Sequence, residues 1–452
     1  MKKNTALRLG AVLVVGSLAL AGCSSNDPAP PTDTKVDSAV EKWAADIKKE
    51  HGGSTVTIAA QTHPSTESMQ KMTSKFEELT GIKVVWDIVD QNSLKQKIEL
   101  DFQSGNAAYD VNMIDSFWLS GFTEKGVVDD ISSRVGDAAQ TPAFFDYEDI
   151  LPAYREGLDK YDGKTYGVQI AGESRFLGYR TDLFKKYDKQ PPKTMDEFLE
   201  LAKFFNGKED GLYGVAMRGQ KGIHFTSGLM TLMYQFTEGF FDPKTDENQI
   251  DSADNVKALE YYVELLKNAP SDVGSYTHEE ALSAFMSGHA AMWFDATAIA
   301  PSILDPDQST VVGKVAFAGP PEGPKGTFGA LAGWSLGVAN KSKNKDAAWA
   351  FIAYMTSKAM APTYMANGGV PTRTSVLENP TTDDQKVYFP AMLDALTASA
   401  NLVEAGNSWL PQVPGSDEKL TIIGNYGSEA LAGSITAKEA LAKAKAEVAT
   451  LP

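Results

Sequence analysis

Cysteine is almost absent from this chain, which has only Cys23 among its 452 residues. A single thiol excludes an intrachain disulfide and any zinc site built from several cysteines. The five histidines show no short ligand spacing, so no metal site is predicted. They are His51, His63, His224, His278 and His289. The glycine-rich loops that hold phosphates in nucleotide-binding proteins are also missing from the sequence, and no cofactor is predicted.

Positive charge is in deficit. The chain has 42 lysines and arginines against 59 aspartates and glutamates, and its formal net charge is -17. A surface this acidic disfavours contact with phosphate backbones and with anionic membrane surfaces. We therefore predict no nucleic-acid partner.

No apolar run beyond residue 22 is long enough to cross a membrane, which takes roughly 20 apolar residues. A short apolar run does occur before residue 22, at residues 9–20. It follows Lys2, Lys3 and Arg8, as in an export signal. Cys23 directly follows the letters LAG, and this resembles the lipobox of bacterial lipoproteins. The resemblance implies that residues 1–22 are removed and that Cys23 carries the lipid. An ordinary secretory signal with an incidental cysteine is the alternative.

The segment after the signal has the composition of a linker. Residues 24–36, SSNDPAPPTDTKV, contain three prolines and no periodic apolar pattern. We interpret residues 23–37 as an extended tether between a lipid and a folded body. This predicts an extracytoplasmic protein, lipid-anchored to the bacterial cell membrane.

The body alternates predicted strands and helices. STVTIAA, IKVVWDIVD and DVNMID have the composition of buried strands, and SMQKMTSKFEEL has apolar residues at helical spacing. Thr194 with Glu197 and Thr277 with Glu280 have the spacing of capping boxes. Such alternation predicts an α/β fold of mainly parallel sheets flanked by helices, and the length predicts two lobes.

Four stretches, in order, carry a family resemblance. YDGKTYGVQIAGESRFLGYRTDLF, with its Asp162-Gly163 hairpin signal, resembles the first interlobe crossover of the extracellular solute-binding proteins that serve ATP-binding cassette (ABC) importers. ALSAFMSGHAAMWFDATA, LAGWSLGVANKSKNKDAAWAFIAYMTS and GGVPTRTSV resemble later parts of the same family. The branch is that of the maltodextrin, sugar and polyol binders of family 1.

The resemblance implies a two-lobe periplasmic-binding-protein-like fold with hinge crossover strands. Residues 38–170 and 327–377 are predicted to form lobe 1, and residues 171–326 and 378–452 lobe 2. The family captures a solute in the interlobe cleft and delivers it to permease subunits without changing it chemically. We accordingly expect a monomeric carrier of a neutral sugar or polyol, which is not an enzyme.

Loops that follow strands are where ligands bind in open α/β sheets, and they select the site candidates. Acidic side chains accept hydroxyl hydrogen bonds, arginine and histidine donate them, and indole rings cover the apolar C–H surface of a sugar. The predicted ligand-binding residues are His63, Asp115, Trp118, Glu173, Arg175, Arg218, Trp293, Asp295, Trp334, Arg373 and Trp409. Gln61, Thr62 and Ser116 are weaker candidates.

Each candidate has a structural alternative. Trp293 and Trp334 are equally suited to a core, Asp115 and Asp295 to helix N-caps, and Glu173 with Arg175 to a surface ion pair. The letters GWSLG at 333–337 match a hydrolase nucleophile pattern, but no histidine follows the serine and no helical pattern follows directly. A glycosidase using two of the acidic candidates, and a binder of peptides or charged metabolites, remain the competing functions.

Overall fold

A computed structural model describes residues 34–411 and 413–451. The strands are β1 (Thr55–Gln61), β2 (Lys83–Val89), β3 (Val111–Asp115), β4 (Lys160–Tyr161), β5 (Lys164–Thr165), β6 (Val168–Glu173), β7 (Arg175–Arg180), β8 (Tyr213–Ala216), β9 (Ala290–Ala296), β10 (Val315–Ala318) and β11 (Ala332–Val338). The helices of the first half are α1 (Thr34–His51), α2 (Pro64–Thr80), α3 (Gln91–Ser104), α4 (Leu119–Glu124), α5 (Ser132–Gly136), α6 (Pro152–Gly157), α7 (Thr181–Lys186), α8 (Met195–Phe205) and α9 (Ile223–Met230). Those of the second half are α10 (Ala253–Leu266), α11 (His278–Met286), α12 (Ala300–Leu304), α13 (Lys345–Met355), α14 (Ala361–Ala366), α15 (Thr374–Leu377), α16 (Asp383–Glu404), α17 (Ser416–Leu431) and α18 (Ala437–Val448).

Two main sheets form the body. The first has the order β2-β1-β3-β11-β6 and the second the order β10-β7-β9-β8. In each sheet one strand runs against all the others, β11 in the first and β7 in the second. Because each reversed strand lies between two others, the sheets contain both parallel and antiparallel pairs. The predicted α/β architecture is confirmed, with mixed rather than mainly parallel pairing.

The chain passes between the two sheets at buried points. The first crossing is at Ser174, between β6 and β7, and the second lies between β10 and β11. Ser174 is held there by a hydrogen bond from its hydroxyl to the Ala330 carbonyl oxygen at 2.7 Å. The long helix α16 packs against β10 and β7 of the second sheet and against α6. The first crossing thus falls just beyond the predicted boundary at 170/171, and the lobe ranges themselves stay predictions.

Local sequence signals account for several element ends. Both predicted capping boxes are present, at the start of α8 and of α11. The Asp162-Gly163 hairpin joins β4 to β5, and both residues have positive φ, 48° and 73°, as a two-residue type I′ turn requires. Helix α1 begins at Thr34, inside the segment predicted to be an extended tether.

The structure bears on only some of the membrane-related predictions. The signal residues and Cys23 lie outside the described residues, so the lipobox prediction concerns a part of the chain that the structure does not describe. Within the described ranges, no helix is both long enough and apolar enough to cross a bilayer.

Candidate ligand-binding cleft

One edge of each sheet carries polar side chains from several strands. In the first sheet, β1, β3 and β6 end at this edge, and the reversed strand β11 begins there with Trp334 paired to Asp115. In the second sheet, β9 ends and the reversed strand β7 begins there, with Arg175 paired to Ala296. The crossing at Ser174 joins the two edges. The reversal of one strand in each sheet therefore brings residues from strand beginnings into the same cleft as residues from strand ends.

The second lobe contributes an arginine pair around one carboxylate. Asp295 is 1% exposed, and its Oδ2 accepts a hydrogen bond from Arg218 Nε at 2.7 Å. Its Oδ1 accepts from Arg218 Nη2 at 2.7 Å and from Arg175 Nη1. The N-cap alternative is not observed for Asp295, because the short helical turn after β9 has Ala296 at its N-cap position.

A hydroxyl group on helix α9 accepts hydrogen bonds from both arginines. Ser227 Oγ accepts from Arg175 Nη2 at 3.1 Å and from Arg218 Nη1 at 3.3 Å. The Trp409 ring lies 5.6 Å from the Arg175 guanidinium carbon, within cation-π distance. Burial lowers the pKa of Arg175 to about 10, which leaves it charged at neutral pH. Burial and the like charge of Arg175 lower the pKa of Arg218 as well, while its hydrogen bonds to Asp295 favour the cation.

The first lobe contributes a histidine and a carboxylate. His63 is the N-cap of α2, and its Nδ1 accepts the Ser65 N–H at 3.1 Å. Since Nδ1 is an acceptor, the neutral imidazole carries its proton on Nε2, which lies 3.5 Å from Glu173 Oε1. Burial raises the pKa of Glu173. The nearby His63 N–H and the positive charges of Arg175 and Arg218 lower the pKa by more than burial raises it. The net pKa of Glu173 is below its ordinary value, and the carboxylate is ionised at neutral pH.

Aromatic rings surround these polar groups. Trp334 meets Trp118 edge to face, with ring centroids 5.5 Å apart, and its centroid is 6.2 Å from that of His63. Trp409 meets Phe117 of the first lobe at 6.1 Å. Asp115 caps the short turn that carries Phe117 and Trp118, because its Oδ1 accepts the Phe117 N–H. The rings thus form walls of the cleft in both lobes.

A cavity of about 700 Å³ lies between the lobes on the side of Asp115 and Trp118. Its other walls include Lys95 of α3 and Ile223 of α9. Across its mouth, Lys95 Nζ lies 3.2 Å from Asp417 Oδ2 of α17, an ion pair between the lobes. A second cavity, of about 390 Å³, is lined by α6 and residues 239–243 and contains none of the predicted ligand-binding residues.

Two of the predicted residues lie away from this cluster. Trp293 is completely buried, and its ring packs against Phe285 and Phe176 in the core of the second lobe. Arg373 is also buried, and its guanidinium donates to the carbonyl oxygens of Phe145 and Thr356. For Trp293 the core alternative agrees with the structure, and Arg373 lies outside the cluster.

The weaker candidates and the hydrolase pattern have defined positions. Gln61 is buried at the end of β1, Ser116 is buried after β3, and Thr62 is exposed. Ser335 of the GWSLG stretch lies inside β11, where its hydroxyl donates to Gln169 Oε1 and to the Asp159 carboxylate. A buried serine within a strand lacks the exposed strand-to-helix turn that the nucleophile pattern requires.

Two residues near the cluster were not predicted. Ser227 lies in the mostly apolar stretch IHFTSGLM, where a serine next to a threonine gives no ligand signal. Burial, and then the charges of Arg218 and Arg175, lower the pKa of His278 to about 4, so this histidine is neutral at pH 7. Within the described ranges, no group of three His, Cys, Asp or Glu side chains is arranged to hold a metal ion.

Two mixed α/β lobes around a polar and aromatic cleft define a two-lobe ligand-binding protein. Residues 59–362 match the family model of bacterial extracellular solute-binding proteins, and the chain belongs to this family. The predicted family and fold are thereby confirmed.

Relatives of defined ligand share most of the chain. A mannitol-binding protein of Pseudomonas aeruginosa is 28% identical over 420 residues, which cover 88% of this chain and 93% of the relative. An erythritol/L-threitol-binding protein of Mycolicibacterium smegmatis is 27% identical over 72% of each chain. The crystal structure of an ABC transporter solute-binding protein from Agrobacterium radiobacter K84 in complex with ribitol superposes with a TM-score of 0.75. It is 28% identical and covers 88% of this chain and 98% of its own.

Proposed function

We propose that this protein captures a neutral polyol or sugar in the interlobe cleft and delivers it to an ABC transporter. The observation that carries the proposal is the balance of charge in the cleft. Arg175 and Arg218 contribute two positive charges, and Asp295 and Glu173 contribute two negative charges. A cleft without excess charge favours an uncharged ligand, because a charged one would be buried without a partner.

Hydroxyl groups fit the hydrogen-bonding capacity that remains. Each guanidinium has five N–H donors, and only some of those on Arg175 and Arg218 are used by Asp295 and Ser227. Glu173 lies 3.5 Å from His63 Nε2 and has lone pairs for ligand hydroxyls. A hydroxyl between the arginine pair and Glu173 can accept from the first and donate to the second. The aromatic walls then cover the C–H surface of the same ligand.

The relatives support a linear polyol within this class. The mannitol-binding and erythritol/L-threitol-binding relatives, and the structure in complex with ribitol, carry ligands that consist of a short carbon chain with a hydroxyl on each carbon. We infer that the ligand of this protein is of that kind. The permease subunits, a monomeric state and lipid attachment through Cys23 belong to the same proposal.

Calorimetric titration with ribitol, mannitol, erythritol, monosaccharides, maltose, amino acids and short peptides tests this function. We expect saturable heat from one or more of the neutral hydroxyl compounds and unchanged ligand after incubation, as judged by mass spectrometry. Heat from charged compounds alone would contradict the proposal and would favour the binder of charged metabolites. Conversion of any ligand to a product would favour the glycosidase alternative.

Replacing Ser227 with alanine should weaken binding of the best ligand about tenfold, because hydrogen bonds to charged groups contribute roughly 1.5 to 3 kcal/mol. The hydroxyl accepts from both guanidiniums, so its loss leaves the arginine pair less firmly oriented. Ser68→Ala is the matched control, since Ser68 is a buried helix serine that donates to the Tyr364 carbonyl oxygen in the first lobe. Equal affinities for the two variants would contradict a role of Ser227 in the site.

A further inference from the structure

The Asp295 carboxylate receives the hydrogen bonds that a ligand carboxylate would need. Arg218 binds it in bidentate fashion, through Nε to Oδ2 and Nη2 to Oδ1, both at 2.7 Å. Oδ1 also accepts from Arg175 Nη1 and from the Ala296 N–H at 2.7 Å. A bidentate arginine fork with a second cationic donor is the usual geometry for recognition of a carboxylate. Asp295 therefore already accepts four hydrogen bonds from protein donors, and its role differs from that of a free hydroxyl acceptor.

We propose that Asp295 determines specificity by occupying the carboxylate position of the arginine pair, so that polyols bind and sugar acids such as aldonates and uronates are rejected. The inference rests on the proposed function. A sugar acid that entered the cleft would bring its negative charge to two arginines whose charge is already balanced by Asp295 and Glu173 together. Rejection of an analogue through an unpaired buried charge is an efficient source of discrimination.

Other contacts hold the arginine pair in place independently of Asp295. Ser227 Oγ accepts from both guanidiniums, at 3.1 and 3.3 Å. Arg175 also lies over the Trp409 ring. Replacement of Asp295 by alanine should therefore leave a carboxylate-sized gap that is bounded by two oriented guanidiniums. Such a gap can be filled by a small carboxylate from solution or by the carboxylate of a ligand.

The test compares wild type with Asp295→Ala by calorimetry against ribitol, mannitol, gluconate and galacturonate. For the variant we expect the affinity for the polyol to fall about 100-fold or more, since a buried charge pair is broken. Sodium formate should restore much of that affinity, whereas sodium chloride at the same ionic strength should not. In the absence of formate, the variant should bind gluconate or galacturonate at least about tenfold more tightly than wild type does, because each arginine-carboxylate hydrogen bond is charge-assisted.

Two variants serve as controls. Asp295→Asn fills the gap with an amide, so formate should give no rescue. Asp149→Ala removes another buried carboxylate that faces an arginine, Arg373, but in the first lobe and away from the cleft. It should lower the melting temperature while ribitol affinity stays insensitive to formate.

The outcomes separate this inference from the proposed function. If wild type binds a polyol but Asp295→Ala gains neither formate rescue nor sugar-acid binding, the inference is overturned and the function stands. If wild type binds gluconate or galacturonate as well as a polyol, the inference is overturned and the function stands, whereas wild type that binds only the sugar acids overturns both. Should Asp295→Ala be unfolded at room temperature, Asp295→Ser is used and its melting temperature is measured. A rise in formate relative to chloride supports the inference, and no difference overturns it.

Discussion

Replacing Asp159 with asparagine is expected to stabilise the protein, and to do so more strongly at pH 8 than at pH 5. Asp159 is completely buried between α6 and β4. Its carboxylate accepts from the Gln169 N–H at 3.1 Å and from the Ser335 hydroxyl, and both partners are neutral. Burial raises its pKa from 3.8 to about 7, against the lowering effect of these two hydrogen bonds.

The direction of the effect follows from proton linkage. Between about pH 4 and pH 7 the folded protein keeps a proton on Asp159 that the unfolded chain has lost, so the contribution of this group to stability falls as pH rises. A difference of about three pKa units corresponds to about 4 kcal/mol. Asparagine resembles the protonated acid and carries no charge to bury. We expect the stability gain of the variant over wild type to grow by roughly 2 to 4 kcal/mol from pH 5 to pH 8.

Urea unfolding of both proteins at pH 5, 6, 7 and 8 measures this difference in the free energy of unfolding. Taking the difference at each pH cancels the titration of all other groups. Asp182→Asn is a control whose effect on stability should not change between pH 5 and pH 8. Hydrogen bonding and charge from Arg180 outweigh burial and hold the pKa of Asp182 below its ordinary value, so its stabilising contribution is present at neutral pH and is lost in acid. Parallel curves for wild type and Asp159→Asn would show that Asp159 is ionised without cost in the folded protein.

The strand-end rule selected several residues that the structure brings together. Asp115, Glu173, Arg218 and Asp295 follow or end strands, and hydrogen bonds place Arg175 and Arg218 around Asp295 as a group. These residues could be selected because strand ends are visible as a change from an apolar run to polar residues. Strands that run in the same direction end at the same edge of a sheet, so this change in polarity selects residues at one edge.

The two candidates away from the cleft show why the rest was not predictable. All seven residues of β9 are buried, because helices cover both faces of the second sheet, and composition cannot tell which face holds Trp293. Arg373 follows a polar loop like a ligand residue. Its hydrogen-bond partners Phe145 and Asp146 come from a segment more than 200 residues earlier in the chain, and local patterns do not show such pairing.

The mixed pairing of the sheets was not predicted either, because burial hides the direction of a strand from the sequence pattern. Most residues of the reversed strands β7 and β11 are buried, so their sequences read like those of the other strands. Only the pairing shows that they run in the opposite direction. This reversal is what brings Arg175 and Trp334, at strand beginnings, beside Asp295 and Asp115, at strand ends.

Glu173→Ala should reduce affinity for the best neutral ligand about 100-fold, because a carboxylate that accepts two ligand hydroxyls contributes roughly 1.5 to 3 kcal/mol through each. Glu173 is the carboxylate that faces the arginine pair, and the His63 N–H on its other side keeps it oriented. Glu173→Gln keeps one acceptor oxygen and should lose only about tenfold, since a neutral hydrogen bond is weaker than a charged one. Glu264 is half-buried and paired with Lys203 outside the cleft, and it provides the control Glu264→Gln, for which wild-type affinity is expected.

The pH dependence gives a second readout of the same residue. The lowered pKa of Glu173 means that its carboxylate is ionised throughout pH 5 to 8, so calorimetric affinity of wild type should stay nearly flat over that range. Affinity that falls steeply toward pH 5 would show that Glu173 takes up a proton there, and the argument from charge balance would then fail. Wild-type affinity in Glu173→Ala would place the ligand elsewhere in the cleft. The ratio of the alanine and glutamine effects therefore measures how much of the recognition depends on the negative charge that opposes the two arginines.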